Sequence, residues 1–286
     1  VGSYLVGLVG TGIGPSLSPA LHEREADLLG LRYLYRRLDL DELGLPAEAV
    51  GDVLAAARIA GYDGLNVTHP CKQRVLEHLD ELDPTAAALG AVNTVVFRDG
   101  RAVGHNTDTT GFARAVQLGL PEARLDGVAL VGAGGAGAAC AHALLALGAG
   151  RIEVFDLQPA RAELLAAALA TRFGPGRAVA GGSLADALST VDGLVHATPT
   201  GMDTHPGLPL PAELLEPRLW VADVVYRPLN TALVECARAR GCRVLDGRRM
   251  AVFQAADAFR LFTGRTPDAE RMLRHFDTLE APCPAP

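Results

Sequence analysis

Val128-Ala-Leu-Val-Gly132-Ala-Gly134-Gly135-Ala-Gly137 runs from an apolar, β-rich segment into an Ala-rich one. Gly132, Gly134 and Gly137 have G-x-G-x-x-G spacing. In a strand–turn–helix unit the first glycine permits the tight turn, the second lets backbone approach a pyrophosphate, and the third lets the helix pack closely on the strand. The helix N-terminus offers amides and the positive end of its dipole to those phosphates, which brings Gly135 and Ala136 into the candidate site. A lone glycine pattern carries little weight. This one has a strand before it, a helix after it, and a second strand, Ile152–Phe155, running into Asp156, 19 residues beyond Gly137. A carboxylate there accepts from the ribose hydroxyls and repels a 2′-phosphate, so NAD is expected over NADP. Arg161, five residues further on, is a candidate for the adenine side or else a solvated helix Arg.

Outward from this unit, strand-like and helix-like segments alternate. Short β-rich runs are Tyr4–Val9, Leu31–Leu38, Gly64–Val67, Val92–Phe97, Leu194–Ala197, Trp220–Val224 and Arg243–Leu245. Helical spacing marks Pro46–Ile59, Ala138–Leu147, Pro159–Phe173 and Thr231–Arg240. Such alternation predicts α/β architecture with mostly parallel sheets. Gly104-His-Asn-Thr-Asp reads as a turn that starts a helix through Leu118, and Gly119-Leu-Pro-Glu breaks it. Two helices, Arg248–Thr263 and Pro267–Leu279, close the pattern without a further strand and are expected to pack back on the first domain. The division predicted is 1–106 with 246–286 as one domain, and 107–245 as a Rossmann-like, doubly wound nucleotide domain, with 107–118 as a linking helix.

The chain has 286 residues, 26 basic against 33 acidic, a net charge of −7 and 49% hydrophobic residues. That length fits about two domains, and the balance attracts neither nucleic acid nor an anionic membrane. Five cysteines without C-x-x-C spacing, and histidines without H-E-x-x-H pairing, predict neither disulfides nor a metal site. Val1–Gly10 lacks a basic leader and reads as a first strand, and no apolar run reaches membrane-spanning length, so a soluble, cytoplasmic protein is expected. The Pro-rich tail 281–286 is expected to fray. Of the 26 cations, 25 are Arg and one is Lys, Lys72. Coding bias accounts for the Arg; it does not account for the exception.

Polar motifs crowd the loops of the first 110 residues. Ser16-Leu-Ser18-Pro19 opens a helix, where two hydroxyls can hold a carboxylate or Ser18 can simply N-cap. Asn66, Thr68 and Lys72 follow a strand's C-terminal end, where open α/β sheets place ligands. Gly90-Ala-Val-Asn93-Thr94 and Asn106-Thr-Asp108 add two more loops. With A-T-P-x-G-M at 197–202 and Q-A-x-x-A-F at 254–259, the set resembles the shikimate/quinate dehydrogenase family, in that family's order and over most of the chain.

The resemblance implies reversible, NAD(P)-dependent oxidation of shikimate or quinate to the 3-dehydro compound. It also implies a substrate domain built from both ends of the chain, and a cleft between it and the nucleotide domain. Lys72 and Asp108 match the catalytic pair that handles the proton on the reacting oxygen. A Lys suits that work, because Arg keeps its proton; which of the two is the formal base stays open. Ser16, Ser18 and Tyr226 are implied at the substrate carboxylate, and Thr68, Asn93, Asp108 and Gln254 at the ring hydroxyls. Thr198, Pro199, Thr200, Val225 and Gly247 are implied at the nicotinamide end. His196 stands where many relatives carry Asn. Asp156 resembles the NAD-preferring quinate/shikimate branch. An aminoshikimate-type enzyme, or a silent NAD-binding regulator, would share the scaffold, though the intact Lys72/Asp108 pair speaks against the latter. Monomers and homodimers both occur in the family.

Overall fold

The computed structural model describes residues 2–280. The Pro-rich tail and Cys283 lie outside them. The chain divides into two compact units, Val1–Thr107 with Val252–Pro286, and Asp108–Ala251.

The first unit begins with β1 (Ser3–Gly10), α1 (Ser18–Leu28), β2 (Arg32–Asp39), α2 (Val50–Ile59) and β3 (Gly64–Val67). It continues with β4 (Glu81–Leu82), α3 (Pro84–Leu89), β5 (Thr94–Arg98) and β6 (Arg101–His105). Its six-stranded sheet has the order β2-β1-β3-β5-β6-β4. The β1 pairs are parallel and the β3–β5–β6 run is antiparallel. On one face Val9, Leu65 and Val95 pack with Leu40 and with Val53 and Leu54 of α2. Apolar residues on the other face, among them Val6, Leu8, Tyr35 and Val96, meet Ala258 and Phe262 from the far end of the sequence. Contact there is tight enough that a side chain on Gly64 would collide with the Phe262 ring.

The second unit takes in α4 (Thr107–Gly119) after its first residue, then β7 (Gly127–Val131), α5 (Gly135–Ala146), β8 (Arg151–Phe155), α6 (Pro159–Phe173) and β9 (Ala178–Ala180). There follow α7 (Leu184–Thr190), β10 (Gly193–His196), β11 (Trp220–Asp223), α8 (Ala232–Ala239) and β12 (Arg243–Leu245). Its sheet, β12-β11-β10-β7-β8-β9, is parallel throughout. Near-continuous apolar runs such as Val128-Ala-Leu suit strands buried on both faces. Helix α5 is buried around most of its circumference, including Ala139, Ala141 and Ala143, so its Ala content lets neighbours approach closely. Trp220, the one tryptophan, is fully buried and donates Nε1–H to the Arg124 carbonyl at 2.8 Å.

α9 (Arg248–Thr263) leads back into the first unit, and α10 (Ala269–Glu280) follows. α10 lays Met272, Leu273 and Phe276 inward, an amphipathic stripe.

Several elements depart from expectation. Gly104-His105, read as a turn, is the end of β6; the turn sits at Asp99-Gly100, with φ of 51° and 75°. Asp-Gly between apolar runs favours such a two-residue hairpin turn. The β4, β9, α3 and α7 elements are too short for periodicity to reveal. Helix α2 starts only at Val50, after a 3-10 turn over Ala47–Ala49.

Candidate functional site

In the first unit the loop after β1 is held from the end of β2. The buried Asp39 carboxylate accepts from the amides of Gly12 and Ile13 at 3.1 and 2.7 Å. This brings Ser16 to the start of α1, where its hydroxyl accepts from the Ser18 amide and donates to the Ser18 hydroxyl, both at 3.3 Å. Ser18 does not act as the N-cap: Leu17 holds that position and no side chain caps the helix. The two hydroxyls therefore lie together at an uncapped helix start.

Asn66, fully inside the sheet, uses its amide internally. Its Oδ1 accepts from the Tyr35 hydroxyl at 2.8 Å, and its Nδ2 donates to Thr94 Oγ1 at 3.0 Å. The Thr94 hydroxyl donates on to Asn93 Oδ1 at 3.0 Å. Asn93 Oδ1 also accepts from the Thr107 amide at 2.8 Å, while its Nδ2 donates to Thr107 Oγ1 at 2.9 Å. Asn106 Nδ2 donates to the Ala91 carbonyl at 3.0 Å. A buried polar chain, Tyr35–Asn66–Thr94–Asn93–Thr107, thus fixes the backbone that leads directly into Asp108. Buried amides held by several hydrogen bonds each favour one arrangement. Thr94 and Thr107 were within reach of the motifs that contain them. Tyr35 carried no sequence signal.

Lys72 is half-buried in the turn after Thr68, and its carbonyl accepts from the Val92 amide at 2.8 Å, tying it to the segment that presents Asn93. Thr68 packs its methyl against Gly10, where a Cβ would collide with it. Gln254 is half-buried on α9 in this unit. Beside Asn106, Asp83 receives His105 at 3.1 Å and caps α3 through the amides of Thr85 and Ala86. Burial alone would raise its carboxyl, but the His105 and amide hydrogen bonds outweigh that and hold it below the usual carboxylate range.

Asp108 opens the second unit, buried in the first turn of α4. The glycine segment lies between β7 and α5. A side chain on Gly137 would collide with the Gly132 carbonyl, and one on Gly132, whose φ is 107°, would come within 2.6 Å of the Ala197 carbonyl. At Gly134, by contrast, a Cβ would meet only Arg161 Nη2, at 3.7 Å, among the described residues. Protein packing does not require that glycine; it leaves an open approach to the backbone ahead of Gly135 and Ala136. Asp156 Oδ2 accepts from the Ala133 amide at 2.8 Å and Oδ1 from Gln158 at 2.9 Å. The carboxylate, half-buried, is thereby pinned beside the glycine turn, and Arg161 stands at its rim. A glycine turn, a helix N-terminus and a fixed carboxylate converge at the C-terminal ends of parallel strands, an arrangement that a dinucleotide fits.

The loop Thr198-Pro199-Thr200 leaves β10 next to Gly132, with Thr198 Cγ2 in the space that a Gly132 side chain would need. Val225 follows β11 and donates its amide to Asp223 Oδ1 at 3.0 Å. A side chain on Gly247 would collide with the Val225 carbonyl. Tyr226 belongs to this unit, in the loop after β11, whereas Ser16 and Ser18 belong to the other. His196 and Asp223, which the motif reading did not assign a role, form a buried pair at the ends of β10 and β11.

Among the described residues no group of three or more His, Cys, Asp or Glu side chains is placed to hold a metal ion, and no helix is long and apolar enough to cross a membrane.

Residues 8–95 match the family model for the shikimate dehydrogenase substrate binding domain, and residues 247–275 match that for the shikimate 5′-dehydrogenase C-terminal domain. Shikimate dehydrogenase (NADP(+)) of Streptomyces avermitilis is 67% identical over 95% of this chain and 94% of its own. Quinate/shikimate dehydrogenase (NAD(+)) of Corynebacterium efficiens is 50% identical over 97% and 99%. Among solved structures, quinate dehydrogenase from Corynebacterium glutamicum in complex with NAD superposes with a TM-score of 0.92 at 45% identity, covering 97% of this chain and 100% of that one.

Proposed function

Because the chain belongs to the shikimate/quinate dehydrogenase family, we propose that it catalyses the reversible oxidation of shikimate or quinate to the 3-dehydro compound, with NAD preferred. Residues 1–106 and 246–286 serve the substrate in this reading, and 107–245 the dinucleotide. The bound dinucleotide supplies the hydride acceptor. Lys72 and Asp108 exchange the proton on the substrate oxygen. The buried Asn93–Thr107 bonds hold the backbone before Asp108 and so fix where its side chain starts. Ser16 and Ser18, hydroxyls side by side at an uncapped helix start, suit the substrate carboxylate. Thr68, Asn93 and Gln254 read the ring hydroxyls, and Tyr226 adds a phenol at the carboxylate. Asn66 supports this set from behind through Tyr35 and Thr94.

The observation that carries the cofactor preference is Asp156. Its carboxylate is fixed by two amides beside the glycine turn, where it accepts from a free 2′-hydroxyl and repels a 2′-phosphate. Names among the relatives divide between the two cofactors, so the residue and not the resemblance supports NAD. The test is kcat/KM for NAD and NADP with shikimate and with quinate. A ratio favouring NAD is expected; a ratio favouring NADP overturns the preference, and no turnover with either acid overturns the activity.

A further inference from the structure

His196 is fully buried at the last position of β10, in parallel register with Asp223 at the end of β11. Its Nδ1 lies 2.9 Å from Asp223 Oδ1, and its Nε2 lies 2.5 Å from Thr198 Oγ1. A carboxylate only accepts, so Nδ1 carries a ring proton; with the ring neutral, Nε2 accepts the one hydroxyl proton of Thr198. Asp223 is itself fixed: Oδ2 accepts from the Thr231 hydroxyl at 2.7 Å, and Oδ1 accepts from the Val225 amide at 3.0 Å. Thr231 in turn accepts from the Val234 amide at 3.1 Å as the N-cap of α8. The loop is gripped a second time at Gly201, whose φ of 100° lets it lie where a Cβ would be 3.2 Å from Thr231.

An imidazole buried this deeply is tolerated when both nitrogens are partnered, and here both are. Its length is what matters. The ring sets Nδ1 on the Asp223 carboxylate and Nε2, one bond further from the backbone, on the Thr198 hydroxyl; both polar atoms of Asn stop at the level of Nδ1. We infer that His196 is a positioning residue: with its tautomer set by Asp223, it holds the Thr198 hydroxyl, and through it the loop Thr198–Met202, in the geometry that the nicotinamide end of the dinucleotide requires. This rests on the reading above that the loop borders the nicotinamide.

The experiment compares His196→Asn, His196→Gln, Thr198→Val and the His196→Asn/Thr198→Val double variant with the unaltered protein. Dissociation constants are measured for NAD and for ADP-ribose, which lacks the nicotinamide, together with kcat and KM for the dinucleotide. ADP-ribose affinity is expected to stay within about twofold in His196→Asn, while kcat/KM for the dinucleotide falls roughly tenfold or more and NAD loses the advantage it held over ADP-ribose, as misplacement near reacting atoms does. His196→Gln, which restores a polar atom at the level of Nε2, is expected to recover part of the loss. Independent sites multiply to within about twofold; here the double variant is expected to be no worse than the poorer single one. Equal loss for NAD and ADP-ribose, multiplying effects, or an unaltered His196→Asn enzyme each overturn the inference. If the unaltered protein turns over neither acid, the proposed function fails, and the NAD against ADP-ribose comparison still decides the role of His196.

Discussion

Lys72 is the one lysine in a chain with 25 arginines. Guanidinium keeps its proton throughout the accessible range, so replacing Lys by Arg preserves the charge while removing the capacity to exchange a proton. Lys72→Arg is expected to lower kcat by ~10²-fold or more while NAD affinity, followed by titration, stays unchanged; full turnover would remove Lys72 from the chemistry. His22 is a different kind of residue. It is buried among Tyr33, Tyr35, Phe259 and Phe262, with Nδ1 2.9 Å from the Tyr33 hydroxyl and no partner for Nε2 among the described residues. Burial pushes its pKa down from 6.5 to about 3. Between those values the unfolded chain binds the additional proton, so folding loses stability as pH falls below about 6.5, by ~1.4 kcal/mol per unit once the unfolded imidazole is charged. His22→Leu is expected to flatten the unfolding free energy between about pH 6 and pH 4 by roughly one proton's worth, read from urea midpoints at each pH. An unchanged slope would assign the acid sensitivity to other groups. Lys72 was legible because composition and a loop motif pointed to the same position. The enclosure of His22 was not legible, since two of the four rings around it, Phe259 and Phe262, come from the opposite end of the sequence.

Among the elements, α10 has the clearest anchor. Arg271 donates Nε and Nη2 to the two oxygens of Glu25 at 2.9 and 2.6 Å, and the Asp268 amide adds a third bond at 2.8 Å. Glu25 is 1% exposed. Removing the guanidinium leaves a buried carboxylate short of partners, which is costly. Because Arg271 itself remains about a third exposed, the cost is discounted for water to roughly 2 kcal/mol. Arg271→Ala is expected to lower the far-UV CD midpoint accordingly, and a midpoint shift below 1 °C would count α10 as docked by its apolar stripe alone. The long elements were readable from periodicity: α6 and α9 run over the ranges their patterns predict. The short ones were not, because β4 and β9 have too few residues to show a period and owe their existence to ladder partners supplied from elsewhere. The β5–β6 hairpin was readable in principle from Asp99-Gly100. Gly104, which the sequence offers as a second turn glycine, is glycine for a different reason: Leu79, Val92 and Leu82 occupy the space of its side chain.

For the molecule as a whole, the single Trp220 is a resident of the second unit, so fluorescence reports that unit while far-UV CD reports both. NAD at 100 times its dissociation constant stabilises what it binds by about 2.7 kcal/mol. The fluorescence midpoint is expected to rise with NAD, and Arg271→Ala is expected to lower the CD midpoint more than the fluorescence midpoint. Coincident shifts of both signals in both experiments would mean that the two units unfold as one. The two-unit α/β plan was legible from the alternation of segments and from the change of pattern after Leu245. The internal wiring was not: Tyr35–Asn66 and Glu25–Arg271 join residues whose proximity only the fold creates. That the first unit is closed by the last helices also has a consequence on the ribosome. Residues 1–107 emerge first, but the aromatic enclosure of His22 and the face of the sheet at Gly64 wait for Phe259 and Phe262. Residues 108–251 have all their strands in hand earlier. The middle of the polypeptide can therefore mature before the segment that precedes it, which spends the interval with an apolar sheet face uncovered.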